Sequence, residues 1–539
     1  MGMAGVSRRQ FITRISGAGL GAMLGLGGGA PASATPVTAP AATASSPAAQ
    51  LRRIRAYQVR EKAARYWRSS RLASHPTNGD DSRYADRLAS FTKTLPHDDD
   101  GMVDLAAYDV MLAAASAGTM AAWETVPRGG TGKLVSPLGA YSYVLEGADP
   151  HNLTMAAPPR FDSADQAAEL VELYWAALCR DVPFADYSTH PSTVAAVADL
   201  ATFSLFSGIT PGSLFRGTSP GELIGPYVSQ FLFKDVPYGG TPIVQRGRWP
   251  VPGDDHMTTM EQCISLQRGG APTTAQTLEA TPRYIQTGRD LAEWVHRDYT
   301  TMGGQDAALI LLSWGPDALS PTNPYRGKKA QAAFVNFGGP MVLDAVGRVG
   351  RAALQAAWYQ KWLVHRRIRP EHFSARVETT RTGSAPCPIH PALAASEAYS
   401  RVVGEQGNAL LSQAYPEGCP GHPSYPAGHA VLAGAFSTVL KAFFDVSFSV
   451  PSPVVPSTDG TALVSHAGSL TVGGELDKLA ANIARGRDIA GVHWRSDGLE
   501  GVVLGEQVAI GVLRDLRQTV LEDFTGFEFT GYRGNHIVI

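Results

Sequence analysis

Apolar residues recur at the three- and four-residue spacing of helices through most of the chain. This spacing predicts helices over 52–73, 163–179, 191–207, 221–233, 282–299, 338–367, 428–445, 476–487 and 495–516, and another that ends near residue 413. The helix over 338–367 is apolar on nearly all sides in its first half, which indicates burial. Arg369-Pro370 is expected to end or kink it.

The segments between these helices are rich in turn-forming residues. Proline, glycine and threonine concentrate in two long excursions, 234–280 and 379–391, and a loop is expected over 415–426. No alternating strand pattern dominates any segment. The sequence therefore predicts a mainly α fold, a large helical bundle with a few small β-ribbons in the excursions.

The first 34 residues have the features of an export signal. Residues 7–12, SRRQFI, precede a glycine-rich apolar stretch, and residues 32–34, ASA, offer a cleavage site. This arrangement resembles a twin-arginine signal, so the protein is expected to be periplasmic or secreted. Residues 35–50 are mostly Ala, Pro, Thr and Ser, which predicts a flexible linker before one helical domain over 51–539. The chemistry described below lies in its second half, about 338–517.

Composition narrows the possible partners. Charged residues make up 17% of the chain and the net charge is −2, which argues against a nucleic-acid-binding surface. No segment reaches the roughly 18 uninterrupted apolar residues of a membrane span. The four cysteines allow either a bridge between Cys387 and Cys419 or four free thiols, and both alternatives stay open.

Three short stretches carry most of the basic and imidazole side chains that suggest chemistry. They read KWLVHRRIRPE at 361–371, GHPSYPAGHAVL at 421–432 and RDIAGVHWRSD at 487–497. A tetrahedral oxyanion such as phosphate needs cations, amide donors and a group that exchanges protons. Lys361 and Arg369 are eight residues apart, close to two helical turns, so both are expected on one helix face. Arg487 supplies a third cation.

The helix that begins near Gly428 supplies the other requirements. Its unpaired N–H groups and positive dipole end are expected to face the same oxyanion. His429, at the helix entrance, is a candidate general acid or base. His493 is a candidate ligand to the central atom, and Asp497, four residues later, is placed to accept its other N–H.

The same residues form a recognisable pattern. The motifs K-x7-RP at 361–370, PAGH at 426–429 and R-x5-H-x3-D at 487–497 resemble the three-part signature of vanadium-dependent haloperoxidases, which the type 2 phosphatidic acid phosphatase superfamily shares. Segments 78–80, 95–97, 227–231 and 295–298 are also similar to the algal and bacterial haloperoxidase branch. The resemblance therefore covers most of the chain after residue 50.

The resemblance implies a vanadate cofactor and assigns the residues that hold it. His493 would coordinate vanadium, while Lys361, Arg369, Arg487 and the Gly428 amide would hold the vanadate oxygens. The implied reaction oxidises bromide or iodide with hydrogen peroxide to a hypohalous acid equivalent, which halogenates a small organic acceptor. Vanadium would remain in its +5 state as a Lewis acid. Related proteins also suggest a homo-oligomer.

The catalytic roles implied by the family fall on four residues. His429 would exchange protons beside the cofactor, Lys361 would polarise the bound peroxide, and Asp497 would support His493. At the position of His422, the brominating members of the family resemble this sequence, whereas the chlorinating members carry phenylalanine. This suggests a preference for bromide or iodide. Asp298 is either a support for the cation network or a surface residue.

Two further positions bear on the pocket. Trp362 is either part of the halide pocket or a packed core residue. Ala427 departs from the family pattern, in which a serine before the Gly-His pair donates a hydrogen bond to vanadate. Losing one hydrogen bond to a charged group costs about 1.5 to 3 kcal/mol, so weaker vanadate retention is expected.

Two other functions fit the same motifs. An exported acid phosphatase would use His493 as the nucleophile, forming a phosphohistidine, and His429 to protonate the leaving group. A non-catalytic exported binding protein could have kept the fold alone. Neither alternative predicts peroxide-dependent halogenation.

Overall fold

The computed structural model describes residues 47–539. The predicted signal over 1–34 and the first twelve residues of the predicted linker lie outside this range. Residues 56–539 form one compact unit. Of the preceding unit, residues 1–55, the structure describes only a helical stretch that begins at Pro47, four residues before the expected start of ordered structure. Proline suits the first turn of a helix, where its missing N–H is not needed.

The described residues contain fifteen α-helices, and the prediction of a mainly α fold is confirmed. The helices are α1 (Pro47–Ser69), α2 (Asp80–Arg83), α3 (Leu105–Ala117), α4 (Met120–Trp123), α5 (Ala164–Leu178), α6 (Pro191–Leu200), α7 (Met260–Gln267), α8 (Gly288–Arg297), α9 (Met302–Ser313), α10 (Gly339–Tyr359), α11 (Pro370–Thr382), α12 (Glu397–Gln406), α13 (Gly428–Phe443), α14 (Val472–Ile489) and α15 (Arg495–Arg517).

The β structure consists of three antiparallel two-stranded ribbons in the described chain. They pair β1 (Val236–Tyr238) with β2 (Thr241–Ile243), β3 (Val454–Pro456) with β4 (Leu463–Ser465), and β5 (Glu528–Thr530) with β6 (His536–Val538). The first ribbon lies in the predicted 234–280 excursion. The last lies in the C-terminal tail, where Phe527 and Phe529 are buried in the core.

Helix α13 lies at the centre of the bundle and packs against α10, α14 and α15. Its crossing with α15 is close because glycines face the partner backbone. A Cβ added to Gly434 would lie 2.2 Å from the Val502 carbonyl oxygen, and one added to Gly505 would lie 2.2 Å from the Val431 oxygen. Glycine is therefore required at both positions, and the crossing fixes the start of α13 beside α15.

Four predicted helices differ clearly from the structure. Helix α6 ends at Leu200 instead of residue 207, and α12 ends at Gln406 instead of near residue 413. Residues 221–233 form turns and one short 3-10 segment, Gln230–Leu232, instead of a helix. Gly221 and Gly225 have positive φ angles of 82° and 70°, which an α-helix excludes. The helix predicted over 338–367 ends as α10 at Tyr359 and continues as a π-helical segment, Gln360–His365.

Two other properties of the described chain are settled by the structure. All four cysteines are free, so the alternative of a bridge between Cys387 and Cys419 is not realised. Among the helices of residues 47–539, none combines the length and the apolar character that crossing a membrane requires.

Candidate active site

The π-helical segment changes how the first motif is built. Lys361 lies within it, and Arg366 then adopts a left-handed conformation with φ 44°, which ends the helical path. Arg369 follows as the N-cap of α11. Lys361 and Arg369 therefore do not share one helix face, as the eight-residue spacing had suggested. They approach the same loop from two different elements, and π-helical turns are frequent at functional sites.

Lys361 is fully buried against the loop that precedes α13. Its Nζ donates to the carbonyl oxygens of Pro423 over 2.7 Å and Ser424 over 2.8 Å. The Trp358 ring centroid lies 6.0 Å from the same ammonium. Burial, together with the positive charge of Arg369, lowers the pKa of Lys361 well below its usual value.

Arg369 is also fully buried and joins two of the three motifs. Its Nε and Nη2 donate to the His422 carbonyl oxygen over 3.0 and 2.8 Å. Its Nη1 donates to the Val492 carbonyl oxygen over 2.7 Å and to His493 Nε2 over 2.9 Å. Because a guanidinium can only donate, the Nε2 atom of His493 must be the acceptor.

The hydrogen bonds of His493 fix its tautomer. Since Nε2 accepts from Arg369, the proton resides on Nδ1, which donates to Asp497 Oδ2 over 2.8 Å. Burial, followed by the positive charges of Arg369 and Lys361, lowers the pKa of His493 well below its usual value. The imidazole is therefore neutral and carries a lone pair on Nε2, the state required of a metal ligand.

Asp497 is fully buried and accepts from several groups at once. Besides His493, it accepts from Arg367 Nη1 over 2.8 Å, from the Ser424 hydroxyl and from the Trp494 amide over 3.2 Å. The predicted contact with His493 is present, although His493 precedes α15 and does not share its face. Asp497 is the third residue of α15, and its side chain accepts from the backbone of the N-cap residue Trp494, which is a capping-box geometry.

The N-terminus of α13 supplies amide donors without a side-chain cap. Gly428 is its first residue, and Ala427 at the N-cap makes no side-chain hydrogen bond. The N–H groups of Gly428 and His429 have no hydrogen-bond partner among residues 47–539. Such free amides at a helix N-terminus suit an oxyanion.

Arg487 lies in the last turn of α14 and is held less tightly than Arg369. Its Nη1 lies 3.3 Å from the Val295 carbonyl oxygen and 3.4 Å from the Tyr415 hydroxyl oxygen. The guanidinium lies 5.1 Å from the Tyr415 ring centroid. Its buried Nε has no partner within the described chain, so donors remain available for a ligand.

His429 is partly exposed and paired with an acidic residue. Its Nε2 donates to Asp298 Oδ1 over 3.0 Å, which places Asp298 in the site as a support and not on the open surface. The bond leaves Nδ1 without a partner in the described part of the protein. That ring atom is therefore free to exchange a proton with a ligand.

His422 and Trp358 form the aromatic side of the site. Their ring centroids lie 4.8 Å apart, and His422 Nδ1 accepts from Arg369 Nη2 over 2.9 Å. Burial, followed by Lys361 and Arg369, lowers the pKa of His422 well below its usual value. Trp362 instead packs in the core between Phe91 and Trp123, at ring distances of 5.9 and 5.3 Å. Of its two alternatives, the core position is the one observed.

Sequence reasoning missed four residues that hold this site together. They support other side chains or the loop before α13 and are spread along the chain: Lys93, Trp358, Arg367 and Tyr415. Trp358 precedes Lys361 by three residues, a helical spacing that could have identified it. Lys93 and Tyr415 lie far from the motifs they support, and no local signal marks them.

The donor set fits a tetrahedral oxyanion such as vanadate. Lys361, Arg369 and Arg487 are 0%, 0% and 6% exposed, and none forms an ion pair with a carboxylate in the described chain. Buried cations are normally paired, so three together without a carboxylate indicate a site for an anion. The unpartnered Gly428 amide and the His493 Nε2 lone pair complete the set.

Comparison with known proteins gives a consistent family. Residues 350–521 match a family model described as the VCPO second helical-bundle domain. A vanadium-dependent bromoperoxidase of Ascophyllum nodosum is 35% identical over 485 residues, which cover 84% of this chain and 86% of that protein. A vanadium-dependent bromoperoxidase of Corallina officinalis is 33% identical over 551 residues, which cover 83% of this chain and 90% of that protein.

A solved structure shows the same architecture. It is the homohexameric second vanadate-dependent bromoperoxidase, AnII, of Ascophyllum nodosum, with a TM-score of 0.85 and 27% sequence identity. The match covers 99% of this chain and 96% of that one. The shared fold and the sequence identity over most of the chain establish that this protein belongs to the vanadium-dependent haloperoxidase family of enzymes.

Proposed function

We propose that this enzyme uses bound vanadate to oxidise bromide or iodide with hydrogen peroxide. The product is a hypohalous acid equivalent, which then halogenates small organic acceptors. The observation that carries this proposal is the group of three buried cations, Lys361, Arg369 and Arg487, without a carboxylate partner in the described chain. A bound oxyanion would offset the burial and the Arg369 charge that lower the pKa of Lys361, and the three side chains would then carry +3, the charge that matches a fully deprotonated tetrahedral oxyanion.

The residues that would hold vanadate follow from the donor set, and Arg369 and His493, which bond each other at 2.9 Å in this structure, would both turn to the oxyanion. His493 Nε2 offers the lone pair for the central atom, and the bond from Nδ1 to Asp497 keeps that lone pair in place. The three cations and the Gly428 amide would bind the oxygens. When bound, vanadium(V) supplies a Lewis acid that activates hydrogen peroxide.

The remaining side chains control protons and charge. His429 is held by Asp298 and presents its free Nδ1, which can accept a proton from an incoming peroxide. Lys361 is dry and fixed by two carbonyl oxygens, so its charge acts strongly on any oxygen beside it. Lys361, Arg369 and His493 are buried in the bundle, whereas His429 is partly exposed, so the proton-exchanging group is the one that faces solvent.

His422 and Trp358 are proposed to favour the larger halides. Nδ1 of His422 lies 2.9 Å from Arg369 Nη2 and 3.1 Å from the Pro423 carbonyl oxygen. Because the guanidinium can only donate, the shorter contact makes Nδ1 an acceptor, so Nε2 carries the proton, and Nε2 has no partner in the described structure. A neutral imidazole donor beside an indole ring suits a polarisable, weakly hydrated anion such as bromide or iodide. The names of the relatives support the bromide assignment.

The test compares two reactions in one oxyanion-free preparation, with and without added orthovanadate. One assay follows bromination of a phenolic dye with peroxide and bromide, and the other follows phosphate-ester hydrolysis. Bromination that requires vanadate and disappears in His493→Ala is expected. Hydrolysis without vanadate, inhibited when vanadate is added, together with no bromination or iodination, would support the phosphatase instead.

We also propose export by the twin-arginine pathway and assembly as a homo-oligomer. Export rests on the sequence of residues 7–12, and replacing Arg8 and Arg9 together with lysine should retain the precursor inside the cell. Assembly rests on the homohexameric AnII structure, and light scattering on the purified enzyme measures it directly. A mass equal to that of one chain, 57.1 kDa with the signal and less without it, would contradict it.

A further inference from the structure

A second buried cluster of potential metal ligands lies beside the oxyanion site but shares none of its proposed ligands. Glu371, His372 and Cys419 each place a carboxylate oxygen, a ring nitrogen or a sulfur within 4.8 Å of the other two. They are 1%, 2% and 2% exposed. The first two lie in the first turn of α11, and Cys419 lies in the loop that precedes α13.

His372 points to a missing ligand because its ring has no hydrogen-bond partner. Both Nδ1 and Nε2 are buried and unpartnered in the described structure. The nearest carboxylate oxygen, Glu371 Oε1, lies 3.6 Å from Nε2, beyond hydrogen-bond distance. Buried polar side chains nearly always have a partner, so an imidazole with two free nitrogens needs an explanation.

Each oxygen of Glu371 already accepts a hydrogen bond from another group. Its Oε1 accepts from Lys93 Nζ over 3.2 Å, and its Oε2 accepts from the Cys419 amide over 2.7 Å. The donors that remain free are the His372 imidazole and the Cys419 sulfur. A Cβ built on Gly418 would lie 2.5 Å from Glu371 Oε2 and 2.7 Å from Met257 Sδ, so the Met257 thioether borders the Glu371 carboxylate.

We propose that His372 and Cys419 bind a copper(I) ion in this cluster. A thiolate selects soft cations such as copper(I), and an imidazole also binds copper. On binding, the Cys419 S–H bond breaks, its proton leaves to solvent, and a sulfur–copper bond forms without any change of oxidation state. Because copper(I) replaces the thiol proton, and both carry a single positive charge, the net charge of the buried cluster does not change.

The charge of the surroundings decides against a divalent ion such as zinc. Lys93 already neutralises Glu371, and the positive side chains of Arg369 and Arg376 also act on His372. A divalent ion that displaced the thiol proton would leave one additional positive charge in this dry, cationic region. Copper(I) would instead join α11 to the loop before α13, the two elements that carry Arg369 and His422.

The test measures metal binding and does not depend on the proposed haloperoxidase activity. Full-length enzyme is equilibrated without oxygen against copper(I) buffered by a bicinchoninate competitor, and in parallel against zinc(II). The variants are Cys419→Ser and His372→Gln. Cys263→Ser is the matched control, because Cys263 is a buried thiol in the neighbouring core but is not one of the three clustered residues.

We expect one copper(I) per chain, with an ultraviolet thiolate-to-copper absorbance, in the parent enzyme and in Cys263→Ser. Both ligand variants should bind at least about ten-fold more weakly. Copper should also raise the melting temperature of the parent but not that of His372→Gln, a readout that remains if Cys419→Ser does not fold. Equal copper binding in parent and ligand variants, or tight zinc binding without copper binding, overturns the proposal.

Discussion

The His493 Nδ1–H group donates to Asp497 Oδ2 over 2.8 Å, and this bond determines which ring nitrogen can bind a metal. Arg369 donates to the opposite nitrogen, so the imidazole is held between a carboxylate and a guanidinium. Such outer partners of a ligating histidine typically change metal affinity by about 10- to 100-fold when they are removed.

Replacing Asp497 with asparagine should therefore weaken vanadate binding by about 10- to 100-fold. The amide can donate to the ring and so favours the wrong tautomer. Glu169→Gln is the matched control, because Glu169 is the other carboxylate partner of Arg367, at 2.8 Å, and does not touch His493. Equilibrium dialysis with orthovanadate should separate the two variants, and equal affinities would contradict this role for Asp497.

Ala427→Ser should strengthen vanadate binding. A hydroxyl at this N-cap can accept an amide of α13, worth about 1 kcal/mol of stability, or donate to a bound oxygen. If the new hydroxyl donates to vanadate, a hydrogen bond to a charged group should lower the dissociation constant for vanadate at least about ten-fold relative to the parent. Ala427→Cys is the control, because its thiol is similar in size to the serine hydroxyl but is a much weaker hydrogen-bond donor. If both variants bind vanadate with the parent affinity, the missing hydroxyl is not what limits retention.

The two tryptophans near Lys361 should respond differently to substitution. Trp362→Ala removes a ring packed against Phe91 and Trp123, so a loss of about 3 to 5 kcal/mol in the free energy of unfolding is expected. Trp358→Phe loses mainly the Nε1 bond to the Val135 carbonyl, about 1 kcal/mol. Its main effect should be a changed KM for bromide. Urea unfolding and bromide kinetics on both variants check the assignment.

His296 should make stability depend on pH. Burial opposes its protonation, but hydrogen bonds to Glu293 and Glu417 outweigh this and raise its pKa above the usual value. Because the folded-state pKa exceeds the unfolded value of about 6.5, this contribution is complete below that pH. It is lost as the pH rises through the folded-state pKa.

His296→Gln provides the measurement of this effect. The parent should exceed the variant in unfolding free energy most at about pH 6, and the difference should shrink towards pH 9. The same bonds tie α8 to the loop that carries Tyr415, whose ring stacks on His296 at 3.9 Å and lies beside Arg487. A difference that does not change with pH would show that His296 is not charged in the folded protein.

Local patterns predicted the elements whose ends are set by local chemistry. Ser163 caps α5 at the predicted start of that helix, whereas the apolar spacing alone indicated that α13 begins at Gly428 and α15 at Arg495. Residues 221–233 have a similar apolar spacing, but Val228 and Phe231 are buried by a turn-rich path. Apolar spacing alone does not distinguish a helix from a turn-rich segment that buries the same residues.

The geometry of the site was less predictable than its composition. The motifs identified the cations and histidines, but the convergence of Lys361 and Arg369 depends on a π-helical segment and on the left-handed Arg366. Tyr415 and Lys93 reach the site only through tertiary packing. Their partners are distant in sequence, so nothing in the local pattern marks them.

The central claim is that Lys361, Arg369, Arg487 and His493 form one vanadate site. Equilibrium dialysis of oxyanion-free enzyme against orthovanadate tests it most directly, with His493→Ala and Arg369→Ala beside the parent and far-ultraviolet circular dichroism confirming that each variant is folded. We predict one tightly bound vanadium per chain in the parent and loss of that binding in both variants. Undiminished binding in the folded variants, or no saturable binding in the parent, would contradict the claim.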